Sequence, residues 1–119
     1  REVKVYVNGL LQSAGTLRMG TVTIKGDSPD RMFLIGKSYD DARWFEGNMS
    51  EVRVWNVVRT QEEIAGHIYG VDPKTPGLVG YWKMDNSNSP NIVKDATGNG
   101  NDAKANKPLS WHNVSLPEK

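Results

Sequence analysis

At 119 residues, 37% hydrophobic, with 12 glycines and 6 prolines, the chain has the length of one domain or part of one and the turn-rich composition of an all-β fold. Its formal net charge is +1 with both signs interspersed, so there is no clustered basic face to expect against nucleic acid or an anionic membrane. The absence of cysteine excludes disulfides and thiolate metal sites, and no apolar run approaches the ~20 residues that cross a bilayer.

Val3, Val5 and Val7 alternate with Lys4 and Tyr6, a period of two that predicts a strand over Glu2–Asn8 with the valines facing in. Asn8-Gly9 is a hairpin signal because both residues tolerate positive φ, so Leu10–Gln12 should return and Ser13-Ala14-Gly15 should be loop. Thr21–Lys25 is β-branched and alternating and reads as strand. Gly26–Asp30 is a turn cluster, and Met32–Gly36 is a short apolar strand expected to be buried on both sides. Lys37–Trp44 is a polar loop holding two aromatics.

Phe45–Ile68 is the organising unit. Alternation over Met49–Asn56 predicts a half-buried strand with Val52 and Val54 inside and Glu51, Arg53 and Trp55 on the other face. Thr60 lies three residues before Glu63, the capping-box spacing, and Ile64 and Ile68 give a narrow apolar stripe on a helix over Thr60–Tyr69, closed by Gly70. Val71–Pro76 is a stiff linker, Leu78–Met84 a strand, Asp85–Asn91 a loop and Ile92–Lys94 a brief strand. Thr97–Asp102 is a tight turn, and Asp102–Ala105 and Leu109–Leu116 supply one or two terminal strands.

The order Gly–strand–Trp–Arg-Thr–helix resembles the closing strand and helix of laminin-G-like and pentraxin-like domains in the concanavalin A-like jelly-roll superfamily. Val5-Tyr6-Val7-Asn8-Gly9, Phe33-Leu34-Ile35-Gly36, Gly77–Met84 and Asp95–Asp102 are similar to further blocks of that family, in order along nearly the whole chain. The resemblance implies an all-β jelly-roll sandwich with one short helix. Related jelly rolls are longer, and Val3–Val7 matches the middle of the pattern. The expectation is therefore that residues 1–119 are the C-terminal part of a single laminin-G-like domain, an incomplete sandwich whose open edges or apolar face are filled by another copy or an N-terminal fragment.

Three chemistries compete. Glycan hydrolases of this fold need two carboxylates about 5–9 Å apart. The organising strand offers only Glu51, followed by Arg53, while Glu63 is spent on the cap, so no enzyme is expected. Calcium would take oxygens from Asp95, Thr97, Asn99 and Asn101, spaced at alternate positions with Gly100 where the loop turns, but the closing bidentate Glu is replaced by Asn106 and an Asn/Gly turn between strands is the favoured reading. Where the resemblance implies acidic ligands after the Ile-Gly strand, this chain has Lys37-Ser38-Tyr39. Carbohydrate binding would use Tyr39, Asp40, Asp41, Arg43 and Trp44, an aromatic and hydrogen-bonding mixture on one loop. The alternative there is that Trp44 and Phe45 only anchor the loop.

Isolated His67 and His112 are surface or packing residues, and Trp55, Tyr81, Trp82 and Trp111 belong to strands and their packing. The expected function is a non-catalytic glycan-binding or adhesion module of a secreted or surface-attached bacterial protein, with an extracellular setting implied by the resemblance. A structural interaction sandwich without a small ligand, or an accessory part of a glycoside hydrolase, are the alternatives.

Overall fold

Asn8 and Gly9 both take left-handed backbone angles (φ 53° and 78°), and the chain reverses there into an antiparallel hairpin of β1 (Glu2–Val7) and β2 (Leu10–Thr16). The computed structural model describes residues 2–16, 33–37, 43–85 and 89–115. The strand expected over Thr21–Lys25 and the turn after it lie outside the described residues. β2 is longer than its pattern predicts, because a register shift between Val5 and Tyr6 absorbs Gln12 as a bulge and pairing resumes at Ser13–Thr16. Val3, Val5 and Val7 do not face a core: they are 41%, 51% and 52% exposed.

Among the described residues the strands form three separate two-stranded antiparallel sheets, without a closed jelly roll. β3 (Val52–Trp55) pairs with β4 (Leu78–Trp82), placing Arg53 opposite Tyr81 and Val54 opposite Gly80. β5 (Ile92–Val93) pairs with β6 (Ala103–Lys104). Among the described residues the buried apolar side chains are Leu78, Tyr81, Trp82 and Val93, which puts β4 at the centre of this packing.

The strand expected from Met49 starts at Val52, because Glu51 takes a left-handed conformation (φ 57°) that breaks the pleat. That turn swings the Glu51 carboxylate inward, so Glu51, Val52 and Val54 are all half-buried, where the alternation predicts buried valines and an exposed acid.

The helix α1 spans Gln61–Gly66, and its capping box is complete: Glu63 N–H donates to Thr60 Oγ1 (3.2 Å) and Thr60 N–H to Glu63 Oε2 (2.9 Å). It ends well before Tyr69, with Ile68 and Tyr69 exposed. α1 lies against the hairpin tip so closely that a Cβ on Gly9 would sit 2.8 Å from the Ala65 Cβ. Gly9 thus serves both the turn and the helix contact.

The Met32–Gly36 expectation also changes. Residues 33–36 are not strand, and Phe33 is 64% exposed. Residues 109–115 form no strand; Leu109 N–H instead donates to Pro90 O (2.8 Å).

Candidate functional site

Two short segments, residues 33–37 and 43–47, run antiparallel through a Lys37–Trp44 bridge and a hydrogen bond from Phe45 N–H to Gly36 O (2.9 Å). Three exposed aromatics ride on this unit: Phe33 at 64%, Trp44 at 54% and Phe45 at 56%. Lys37 Nζ stands 4.9 Å from the centroid of the Trp44 ring, a cation against the negative face of the indole. Arg43 beside it is exposed. Of the residues expected to form the binding loop, Arg43 and Trp44 are therefore together at the surface, while Tyr39, Asp40 and Asp41 lie outside the described residues. An exposed indole is a flat, polarisable, apolar surface. It can pack on the C–H face of a sugar ring while neighbouring polar groups bond to hydroxyls.

Phe33 escapes sequence reasoning, because an apolar Phe-Leu-Ile run reads as buried strand. Its ring stacks on Trp82 with centroids 5.6 Å apart and planes 20° from parallel. Trp82 is itself fixed: it is buried, its Nε1–H donates to Asn101 O (2.8 Å), and its ring crowds Gly80, where a Cβ would lie 2.5 Å away.

The Asp95–Asn101 turn holds the residues expected for calcium, but the Asp95 and Thr97 oxygens point at N–H groups. Asp95 Oδ1 accepts from Tyr81 N–H (3.1 Å), Thr97 N–H (3.0 Å) and Thr97 Oγ1–H (2.7 Å), and Oδ2 accepts from Asn101 N–H (3.2 Å). Thr97 Oγ1 in turn accepts from Asn99 N–H (3.1 Å), and the Asn99 and Asn101 amides both donate to Val79 O. Burial would raise the Asp95 pKa, yet the hydrogen bonds from Thr97, Tyr81 and Asn101 outweigh it and hold the carboxyl below its ordinary value. Nearby Asp102 is also lowered, chiefly by the Asp95 N–H and then by Lys94. Among the described residues no cluster of three or more His, Asp or Glu side chains could hold a metal ion. The Asp95 and Thr97 oxygens thus serve N–H groups of β4 and of the turn itself.

A third feature is a shallow cleft of about 180 Å³ between β3 and α1, lined by Glu51, Arg53, Trp55, Arg59, Glu63 and His67. Its charges answer one another. Glu51 Oε2 accepts from Arg53 and from the Tyr81 hydroxyl, and Arg53 donates to the carbonyls of His67 and Ile68. Arg59 lies over the Trp55 ring at 4.1 Å and pairs with Glu63 at 3.4 Å. Burial, and then the bond to Glu51, push the Tyr81 hydroxyl above its usual pKa. The cleft is a seam that docks the helix on the sheet.

Residues 1–65 match the laminin-G family described as the concanavalin A-like lectin/glucanases superfamily. No curated protein matches the chain. Among solved structures it is similar to a "putative carbohydrate binding protein" from Bacteroides ovatus, at 30% identity and a TM-score of 0.61. The likeness covers 92% of this chain but only 34% of that one, so the chain spans about a third of its solved relative.

Proposed function

The chain belongs to the concanavalin A-like lectin/glucanases superfamily, and from that premise we propose that it is a non-catalytic carbohydrate-binding module acting outside the cell or at its surface. The observation that carries this reading is Trp44, a large aromatic left 54% exposed on a loop that also carries Arg43 and is braced by Lys37. The name of the Bacteroides ovatus protein supports the same ligand class. A non-catalytic role is supported by the use of Glu51 and Glu63: one carboxylate is engaged by Arg53 and Tyr81, the other by the helix cap and Arg59. Recognition through an aromatic platform needs no calcium, in keeping with Asp95 oxygens that accept from backbone N–H groups.

The test is retention on a panel of immobilised neutral and acidic polysaccharides, run with calcium and with a chelator. Wild-type protein should bind at least one glycan equally in both conditions. Trp44→Ala should weaken that binding at least about tenfold, the loss of a hot-spot aromatic, with an unchanged unfolding midpoint. A wild-type chain that binds no glycan, or a Trp44→Ala variant that binds like wild type, refutes the reading.

A further inference from the structure

We infer that Phe33 is a second sugar-stacking position, so that the ligand is an oligosaccharide laid across Trp44 and Phe33 rather than a single sugar. This rests on the carbohydrate-binding reading and adds to it the length of the ligand and a residue that reads it.

Phe33 has the features of a platform. One face of its ring lies on Trp82, and 64% of the residue remains open to water. Its open face leaves apolar area in water at about 25 cal/mol per Å², area that a stacked sugar would cover. The floor beneath it is anchored: the Trp82 indole is held at its edge by Asn101 O and packs against Gly80. A ring fixed before the ligand arrives loses little rotamer entropy on binding, which favours affinity.

Phe33 and Trp44 stand on the same antiparallel unit. Phe33 is four residues from Lys37, so at the reach of an extended chain their Cα atoms are at most ~14 Å apart. Lys37 bridges directly to Trp44, at the ~5 Å of antiparallel partners. The Cα atoms of Phe33 and Trp44 thus lie within ~20 Å of each other. Their rings are also distinct surfaces: among the described residues the one ring–ring contact is Phe33 on Trp82, and Trp44 takes no part in it. A ligand that stacks on both rings must reach from one to the other, as a short linear glycan does.

The experiment is calorimetric titration with an oligosaccharide ladder, from monosaccharide to hexasaccharide, prepared by partial hydrolysis of the polysaccharide that the wild-type chain retains best. For wild type, affinity should climb about tenfold from the shortest ligand that binds to the hexasaccharide. In Phe33→Ala the affinity for that shortest ligand should stay as it was and the climb should disappear; Phe33→Tyr, which keeps the ring, should restore it. Trp44→Ala should weaken every length. Equal affinities of Phe33→Ala and wild type at all lengths overturn the second position while leaving the carbohydrate reading intact. A uniform drop at all lengths also overturns it, since Phe33 would then act through the fold. If no polysaccharide is retained by wild type, both readings fail together.

Discussion

Asp95 ties β4 to the turn after β5 with one carboxylate, which accepts from Tyr81, Thr97 and Asn101 at once. Charge-assisted bonds of this kind favour the ionised form, so the carboxyl titrates below its ordinary 3.8 in the folded protein. The unfolded chain has the ordinary value. The stabilisation is therefore complete above pH 3.8 and is lost as the pH falls through the lower folded-state pKa. Asp95→Asn replaces one acceptor oxygen by a donor that faces other donors. It should cost about 2–3 kcal/mol near neutral pH, the penalty of stranding buried N–H groups. The gap between variant and wild type should narrow as the pH drops below about 4. Urea unfolding at neutral pH and at successive acid steps measures both, and parallel curves at every pH would show that Asp95 is not the titrating support of this turn.

At the scale of elements, α1 is held at both ends by different means. Its start is closed locally by Thr60 and Glu63, and its last turn carries no basic residue, so Arg53 of β3 reaches across to the carbonyls of His67 and Ile68. The same guanidinium pairs with Glu51, whose left-handed backbone aims the carboxylate at it. Arg53→Leu should destabilise by about 2–4 kcal/mol, leaving a part-buried carboxylate without its counter-charge and two carbonyls without their donor. Arg53→Lys should recover only part of that loss, because an ammonium cannot span the fork of acceptors. Denaturant midpoints followed by helical circular dichroism report both.

What the sequence foretold in this region follows the reach of each interaction. Asn8-Gly9 and Thr60/Glu63 are legible because cause and effect lie within a few residues. Phe33 over Trp82 joins residues far apart in the chain and leaves no periodic signal. The Asp95 turn falls between: its alternating oxygens are visible in sequence, whereas their direction, toward backbone N–H groups, exists only once β4 packs beside it.

For the whole molecule, the exposed valines of β1 are the feature most at odds with an isolated, finished sandwich. Val3, Val5 and Val7 share the alternation of a strand built to face apolar neighbours, yet water covers about half of each. Contact with a second apolar surface would remove that area from water at about 25 cal/mol per Å². We therefore propose self-association through this face, and expect light scattering on the 119-residue chain to give a mean mass that rises with concentration. Val5→Lys, at the middle of the row, should hold the chain at monomer mass, since a partner would have to desolvate an ammonium to reach the sheet. Its unfolding midpoint should barely change, because Val5 buries little in the monomer. Glycan retention discriminates further. If assembly uses β1 while sugars use Trp44 and Phe33, the monomeric variant should keep the wild-type affinity for a short soluble ligand and lose avidity on immobilised polysaccharide. A wild-type chain that stays monomeric at every concentration would remove this face from the account of the molecule.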